Sequence, residues 1–377
     1  MSASSARIDL AAISGNVAHL KSRTTADVMA VVKADGYGHG LLPASRAALH
    51  GGASWLGVAM LDEALTLRAA GIEAPTLVWL WSPSETESLA ACVGANVDIS
   101  VNGLPALALV VAAAAATGTT ARVHLKLDTG LSRNGAYVTE WPALVAAAAS
   151  ADGVEVMGVW SHFVYADAPG HPTNAAQLER FRAGLEVAER AGLRPQLRHL
   201  ANSAATLTLP DAHFDLVRPG IAVYGLNPVP QVPAPGLTPA MTLRSEVALA
   251  KRVAAGEGVS YGHQYVTAAE TTLALVPLGY ADGIPRAAMN LGPVQIGAGR
   301  YRIAGRVCMD QFVLDVGDAE VRDGAEVLLF GPGLDGEPTA QDWADALDTI
   351  HYEIVTRIGS RVPREYVGSH EPEVVGW

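Results

Sequence analysis

Short apolar runs alternate with amphipathic or alanine-rich stretches from Ile8 to about Leu226. The runs have the length of strands, and stretches such as Leu61–Ala70, Pro105–Ala116 and Ala175–Ala191 have the composition of helices. The eight runs are Val28–Val32, Trp55–Val58, Thr76–Leu80, Val97–Val101, Ala121–Leu127, Val154–Trp160, Gln196–His199 and Asp215–Val217. Eight strand–helix repeats predict an α/β fold, a parallel (β/α)8 barrel of the TIM type. An open doubly wound sheet is the alternative, because periodicity alone does not exclude it.

A proline-rich segment marks the clearest domain boundary. Asn227–Pro239 holds five prolines in thirteen residues, and such a segment continues neither a helix nor a central strand. Beyond it the pattern is mostly β, with strands predicted at Leu243–Val253, Thr272–Pro277, Tyr301–Val307, Gln311–Val316 and Glu326–Phe330, and a helix at Thr339–Leu347. We therefore predict a barrel over residues 8–232 and a mostly β C-terminal domain over residues 233–377, which residues 1–7 can join.

Composition narrows the function classes. The net charge is −12, which argues against a nucleic-acid surface because such a surface needs a basic patch. Cys92 and Cys308 are the only cysteines, so no disulfide framework is expected and a reducing compartment fits. The N-terminus lacks the apolar core of a signal peptide, and the longest apolar run, Leu104–Ala116, is too short to span a bilayer. A soluble cytoplasmic protein that binds neither nucleic acid nor membrane is expected.

No zinc, heme or Walker spacing appears, and Gly36-x-Gly38-x-Gly40 is a weak case for a dinucleotide site.

The unusual polar residues of the first domain follow its predicted strands. In a parallel barrel, functional side chains lie at the carboxyl ends of the strands, so these residues are expected on one rim. They are Lys33, Asp128, Arg133, His162, His199, Asn202, Ser203 and Arg218.

The stretch Val28–Gly40 carries the most specific chemistry. Its apolar run leads to Lys33, and a desolvated lysine has a lowered pKa and can form a Schiff base with an aldehyde. Glycines 36, 38 and 40 allow sharp bends and close approach of backbone to a ligand. A solvated surface lysine followed by a turn is the alternative from this stretch alone.

Two later segments suggest a phosphate site. His199–Ser203 follows a strand and opens a short helix, where backbone N–H groups and Ser203 can hold a phosphate. Gly220 and Ile221 can offer backbone donors to the same group, as loops after the last barrel strands often do. A plain N-cap by Asn202 or Ser203 is the alternative.

The string Ala-Val-Val-Lys-Ala-Asp-Gly-Tyr-Gly-His-Gly around Lys33 resembles the cofactor-lysine signature of alanine racemase, a pyridoxal-phosphate (PLP) enzyme of fold type III. The resemblance recurs along nearly the whole chain. It implies that Lys33 holds PLP as an aldimine and that Arg218 faces the pyridine nitrogen. Since arginine stays protonated, the pyridine would remain neutral and the ring would be a weaker electron sink, which suits a racemase. The other residues that match cofactor-binding positions are Tyr37, His162, Asn202, Ser203, Gly220, Ile221 and Tyr352.

The resemblance also assigns the catalytic pair. Tyr261, in Gly258-Val-Ser-Tyr261-Gly262, matches the second base, while from the residues alone a turn tyrosine beside glycine is the preferred interpretation. Lys33 would act on the proton of D-alanine and Tyr261 on that of L-alanine. A hydrogen-bonded chain from Tyr261 through His162 to Arg218 and His199 would spread positive charge and lower the tyrosine pKa.

Other residues match substrate-binding, supporting and entrance positions of the family. Arg133 and Met309 match substrate-binding positions. Lys126 matches a lysine that can be carbamylated, which would make it anionic and able to position Arg133; an internal ion pair between Lys126 and Asp128 is the alternative. Supporting positions are Lys126, His199, Tyr280 and Asp310, and entrance positions are Asp167, Arg286, Arg306 and Ile350.

The function implied is two-base racemisation of alanine on PLP, supplying D-alanine for peptidoglycan. A head-to-tail homodimer is implied, with Tyr261 completing the partner's site. Two alternatives remain at this point: a broad-specificity amino-acid racemase of the same fold, and a PLP-carrier protein that shares the barrel but lacks the second domain.

Overall fold

The computed structural model describes residues 3–368, and these divide into two compact units. We call residues 13–36 and 41–237 the barrel unit, and we call residues 3–12, 37–40 and 238–368 the β unit.

The barrel unit is built on eight parallel strands. After strand β1 (Ser5–Asp9) of the β unit, the barrel strands are β2 (Asp27–Val31), β3 (Trp55–Val58), β4 (Thr76–Val78), β5 (Asp98–Val101), β6 (Ala121–Lys126), β7 (Val154–Trp160), β8 (Leu197–His199) and β9 (Leu216–Val217). They lie in the order β8-β7-β6-β5-β4-β3-β2-β9. Backbone bonds close the ring from β9 to β8, with Asp215 N–H donating to Arg198 O over 3.1 Å and Arg218 N–H to Ala201 O over 2.9 Å. The predicted barrel is confirmed, and an open sheet is excluded.

Helical segments follow the strands. They are α1 (Leu10–Ser22), α2 (Lys33–Tyr37, a single left-handed turn), α3 (Leu41–His50), α4 (Leu61–Ala69), α5 (Thr86–Gly94), α6 (Leu104–Thr117), α7 (Trp141–Ala149), α8 (Pro172–Arg190) and α9 (Ser203–Thr208). The alanine-rich α6 shows why such stretches are helical: Pro105 lies in its first turn, and Gly118 ends it in the left-handed conformation with φ 66°. None of the helices in residues 3–368 is long and apolar enough to cross a membrane.

The β unit contains a six-stranded sheet, a three-stranded sheet and a two-stranded ribbon. Its strands after β1 are β10 (Met241–Glu246), β11 (Leu249–Val253), β12 (Gly258–Val259), β13 (Tyr265–Val266), β14 (Thr271–Val276), β15 (Pro293–Ile296), β16 (Gly299–Arg302), β17 (Phe312–Gly317), β18 (Glu326–Phe330) and β19 (Arg364–Val367). The sheets have the orders β16-β15-β18-β10-β1-β19, β11-β14-β17 and β12-β13. Two short helices, α10 (Ala340–Ala346) and α11 (His351–Thr356), complete the unit.

Two strand predictions in the β unit were wrong. The predicted strand Leu243–Val253 is two strands, because the chain changes sheets between them: Val247 N–H donates to Ala325 O and Ala248 N–H to Leu275 O. The predicted strand Tyr301–Val307 ends at Arg302. Gly305 there takes φ 77° and donates its N–H to Asn290 Oδ1 over 2.7 Å, which ends the extended backbone.

Candidate active site

Lys33 follows β2 with only Val32 between them, and it begins an unusual turn. Ala34, Asp35, Gly36 and Tyr37 all have left-handed backbone, with φ of 54°, 53°, 60° and 53°. For residues other than glycine this conformation costs roughly 1–2 kcal/mol each. A turn of this kind persists only where its surroundings hold it, and such strain is concentrated at functional sites.

Glu63 and Asp35 hold this turn. Glu63 Oε1 accepts the N–H of Ala34 over 2.6 Å, while Glu63 Oε2 accepts the N–H of Ala59 and Met60 over 2.9 and 3.0 Å. Asp35 Oδ1 accepts the N–H of Leu41 over 2.8 Å. One carboxylate therefore joins the first residue after Lys33 to the start of α4.

The amine of Lys33 is prepared for nucleophilic chemistry. Burial lowers its pKa, the positive charge of Arg133 lowers it further, and Glu63 opposes both effects. The amine lies over the Trp79 ring, 5.9 Å from its centroid. A lysine with a lowered pKa has more of the neutral form that attacks an aldehyde.

Lys126, at the end of β6, is buried in the same unit. Its side-chain nitrogen lies over the Trp160 ring at 4.1 Å from the centroid. Burial, and then Arg218 and Arg133, lower its pKa to about 7. Among residues 3–368 no ion pair joins it to Asp128, whose Oδ1 instead accepts the N–H groups of Gly130, Leu131 and Ser132 and so fixes the loop that carries Arg133. The ion-pair alternative is therefore wrong.

Arg218 is a buried cation whose acceptors are all uncharged. Its guanidinium donates to His199 Nδ1 over 3.1 Å, to the carbonyls of Ser161 and Leu200 over 2.8 and 3.2 Å, and to His162 Nδ1 over 3.4 Å. Burial lowers its pKa to about 9, so it stays protonated at pH 7.

The imidazoles beside Arg218 do not share its charge. Burial and the charge of Arg218 hold the pKa of His162 and of His199 well below the usual histidine value. Both rings accept hydrogen bonds from Arg218, as neutral rings do. The predicted spreading of positive charge along this chain was therefore wrong, because the charge stays on the guanidinium.

The segment after β8 offers both a cap and free donors. Asn202 Oδ1 accepts the N–H of Ala205 over 3.0 Å and caps α9. Ser203 Oγ accepts the N–H of Gly220 over 2.8 Å, which ties this segment to the loop after β9. The N–H groups of Ser203 and Ile221 have no acceptor within residues 3–368. Two N–H donors flank a buried hydroxyl, a set that suits an anion.

In the β unit, Tyr261 stands on a turn and is exposed to 72 %. Ser260 before it and Gly262 after it have φ of 61° and 72°. The hydroxyl of Ser260 donates to Arg306 O over 2.7 Å, so the Tyr261 turn is joined to the loop before β17.

Met309 and Tyr280 lie on adjoining loops of the same unit. Tyr280 N–H donates to Cys308 O over 3.0 Å, and a Cβ on Gly279 would lie 2.2 Å from Met309 O, so this close approach requires glycine. Asp310 pairs with Arg361 over 2.8 Å. The structure thus brings together the loops that carry Tyr261, Tyr280, Arg306, Met309 and Asp310.

Tyr37 and Tyr352 also meet within the β unit, with ring centroids 6.3 Å apart. Burial and the neighbouring Tyr352 raise the pKa of Tyr37, so its hydroxyl is a hydrogen-bond donor. The remaining predicted entrance residues, Asp167 of the barrel unit and Arg286 and Ile350 of the β unit, are exposed.

Sequence reasoning missed several residues of the barrel unit, namely Glu63, Trp79, Asp98, Arg122, His124 and Trp160. A usable signal was present in β6, where the polar Arg122, His124 and Lys126 alternate with Val123 and Leu125. Since alternate residues of a strand share a face, three polar residues on one face of a buried barrel strand mark a polar interior.

Comparison with known proteins matches both units. A model of the family "Alanine racemase, N-terminal domain" matches residues 8–228, and one of "Alanine racemase, C-terminal domain" matches residues 240–366. This chain belongs to the alanine racemase family. The resemblance seen in the sequence is thereby confirmed.

Relatives in the alanine racemase family match over nearly their full length. The alanine racemase of Frankia casuarinae is 62 % identical over 371 residues, covering 97 % of this chain and 96 % of that protein. The alanine racemase from D-cycloserine-producing Streptomyces lavendulae is 53 % identical with a TM-score of 0.96, and the match covers 98 % of both chains. The Streptomyces coelicolor structure is 55 % identical with a TM-score of 0.95, covering 97 % of this chain and 98 % of that one.

Proposed function

We propose that this protein is an alanine racemase that interconverts L- and D-alanine with PLP. The observation that carries the proposal is Lys33, an amine with a lowered pKa, held after a barrel strand by a strained left-handed turn. PLP, when bound through Lys33, stabilises the negative charge that develops at Cα when the substrate loses its proton. The membership of the alanine racemase family supports the same substrate.

The donor set of the barrel unit fits PLP. A reactive amine suits its aldehyde, free N–H groups beside Ser203 suit its phosphate, and the buried cation Arg218 has only neutral acceptors within residues 3–368. The residues that would hold the cofactor are Lys33, Tyr37, His162, Asn202, Ser203, Arg218, Gly220, Ile221 and Tyr352.

Arg218 is proposed to control the protonation of the pyridine nitrogen of PLP. A guanidinium that stays protonated donates hydrogen bonds but does not give up its proton to a pyridine nitrogen. Arg218 would therefore keep the pyridine of a bound PLP neutral, and such a ring would supply weaker electron withdrawal, which suits racemisation. Arg133 and Met309 are the residues proposed to position the substrate, with Lys126, His199, Tyr280 and Asp310 in supporting roles.

Inversion needs two proton-transfer groups on opposite faces of Cα. Lys33 removes or returns the proton on the face used by D-alanine, and Tyr261 does so on the face used by L-alanine. A single base would tend to return the proton to the face it came from. Each group must be a base for one enantiomer and an acid for the other.

The second group comes from a partner subunit in this proposal. The protein is a head-to-tail homodimer in which Tyr261 completes the partner's site. The exposure of Tyr261, Tyr280, Met309 and Ile350, all above 40 %, fits a surface that a second copy covers.

The two domains have separate roles in this proposal. Residues 8–232 carry the cofactor and residues 233–377 carry the second base. The entrance is lined by Asp167, Arg286, Arg306 and Ile350. The product serves peptidoglycan synthesis, which uses D-alanine in the cytoplasm.

Circular dichroism of L- and D-alanine solutions tests the activity. With protein and PLP, both signals should decay to zero, whereas decay of neither would refute the proposal. Lys33→Ala should lose covalent PLP and activity, while Lys251→Ala, which alters an exposed lysine of β11, should keep both. A parallel assay with serine shows whether the substrate range is broader.

Tyr261→Phe separates the two proton-transfer groups. Since the enantiomers have equal free energy, inversion is lost in both directions, so the informative signal is exchange of the α-deuterium with water. D-alanine should still lose its deuterium through Lys33, and L-alanine should keep it. Tyr265→Phe is the matched control, because that hydroxyl donates to Asp315 in the same unit. Equal exchange of both enantiomers in Tyr261→Phe would rule out its role.

A further inference from the structure

A line of hydrogen bonds crosses the barrel interior and ends on Arg218. Asp98 Oδ2 lies 3.0 Å from His124 Nε2, His124 Nδ1 lies 2.7 Å from His199 Nε2, and His199 Nδ1 lies 3.1 Å from Arg218 Nη1. Asp98, His124 and His199 have no exposed surface. At the far end Arg122 binds the carboxylate of Asp98 with two bonds, of 2.7 and 3.3 Å.

Neighbouring residues hold the two histidine rings of this line in place. His124 on β6 reaches His199 on β8 across the intervening strand β7, where the residue next to the His124 ring is Gly158. A Cβ on Gly158 would lie 2.4 Å from His124 Nδ1, so any side chain there would displace the ring. Trp160 stacks on His199 at 5.6 Å with an interplanar angle of 4°, and Trp55 meets His124 edge-on at 5.6 Å. Each imidazole is therefore held in position by its own tryptophan, and the two imidazole planes meet at 75°.

The two ends fix the direction of every proton in the line. Arg218 only donates, so His199 Nδ1 must be an acceptor and the proton of His199 must be on Nε2. That proton is donated to His124 Nδ1, so the proton of His124 is on Nε2 and is donated to Asp98. An ionised carboxylate only accepts, so the far end demands the same direction. Both histidines are neutral in this arrangement.

We infer that Asp98 and His124 are positioning residues for Arg218, acting through His199. The carboxylate polarises the two imidazoles in one direction and makes His199 Nδ1 a stronger acceptor, because hydrogen bonds in a chain reinforce one another at low dielectric. This holds the Arg218 edge that faces His199 and leaves the rest of the guanidinium for its other partners. The inference rests on the proposed function, in which Arg218 contacts the cofactor.

The wild-type holoenzyme tests the proton arrangement directly. Long-range ¹H–¹⁵N spectra of ¹⁵N-histidine-labelled protein distinguish the two tautomers and the imidazolium, with signals assigned by their loss in His124→Gln and His199→Gln. His124 and His199 should both be neutral with the proton on Nε2. An Nδ1–H tautomer or an imidazolium at either residue would overturn the inference.

Asp98→Asn removes the charge at the end of the line. We expect kcat to fall about 10- to 100-fold, the range typical of residues that orient a ligand-binding group, while KM for alanine changes less than about twofold. Gly158→Ala, which alters no titratable group, should reproduce this loss by displacing His124. Asp215→Asn is the matched control, because the Asp215 carboxylate is also paired with an arginine through two bonds and, within residues 3–368, hydrogen-bonds to no histidine.

The outcomes separate this inference from the proposed function. If the wild type racemises alanine and a folded, PLP-loaded Asp98→Asn keeps its kcat, the role of Asp98 is refuted and the racemase stands. If Asp98→Asn and Asp215→Asn lose activity equally, the loss is structural and the role is again refuted. If the wild type itself does not racemise alanine, the proposed function falls, and the role of Asp98 in it falls too.

Discussion

At the residue scale, burial decides the charge of Lys126. Its pKa in the folded protein is lowered to about 7, whereas a lysine in the unfolded chain titrates near 10.4. Between these values the unfolded chain binds the additional proton, so the free energy of unfolding should rise with pH. The penalty is complete below about pH 7 and is relieved as pH increases, on the order of 1 kcal/mol per pH unit.

The comparison that checks this uses Lys126→Met, whose apolar chain can lie on Trp160. Denaturant unfolding at several pH values in CO2-free buffer should show wild type gaining stability relative to the variant as pH rises. Lys251→Met, at an exposed position, should run parallel to wild type. A parallel wild type and Lys126→Met would contradict the lowered pKa. The neutral amine should also react with CO2, so ¹³C-bicarbonate should give a carbamate signal in wild type that Lys126→Met lacks.

At the element scale, the left-handed turn α2 depends on a side chain from another element. Glu63 at the start of α4 accepts three backbone N–H groups, including that of Ala34. In Glu63→Gln one carboxylate oxygen becomes an NH₂ group that faces donors. We expect a loss of about 2 kcal/mol of stability, since hydrogen bonds to charged groups contribute about 1.5–3 kcal/mol. The pKa of Lys33 should fall further, because Glu63 raises it.

Unfolding experiments and the pH dependence of imine formation between Lys33 and added PLP measure both effects. Asp62→Asn is the matched control, since Asp62 precedes Glu63 on the same helix and its carboxylate bonds to none of the turn's N–H groups. Hydrogen exchange at the Ala34 amide should accelerate in Glu63→Gln alone. An unchanged exchange rate at the Ala34 amide would show that the turn does not depend on Glu63.

The barrel strands could be predicted from the sequence, whereas the left-handed turn could not. Strands Trp55–Val58 and Val154–Trp160 were predicted to the residue, because a buried parallel strand is a local apolar run. The left-handed turn was not, because three of its four residues are not glycine and their conformation is set by Glu63, 29 positions away from Ala34. The line from Asp98 to Arg218 was missed for the same reason: its members are separate in sequence and meet only when the barrel closes.

At the scale of the whole molecule, the family and the fold followed from the sequence. Under the proposed function, the source of the second base in each site would be a property of the assembly. The resemblance implies that Lys33 and Tyr261 are the two bases and that the partner subunit supplies Tyr261. A C2 dimer with shared sites predicts a definite recovery of activity when two inactive variants exchange subunits, whereas a monomer predicts none. Complementation between two inactive variants therefore tests the assembly.

Lys33→Ala and Tyr261→Phe are each inactive in racemisation under the proposal. If they are mixed and allowed to exchange subunits, half of the dimers are heterodimers, and each heterodimer has one site with both Lys33 and Tyr261 intact. The mixture should recover about a quarter of wild-type activity, whereas sites within single chains would recover none. Light scattering on the same samples gives the oligomeric state. A mixture that exchanges subunits and stays inactive would assign both groups to one chain, because intact Lys33 and intact Tyr261 would then never meet in the same site.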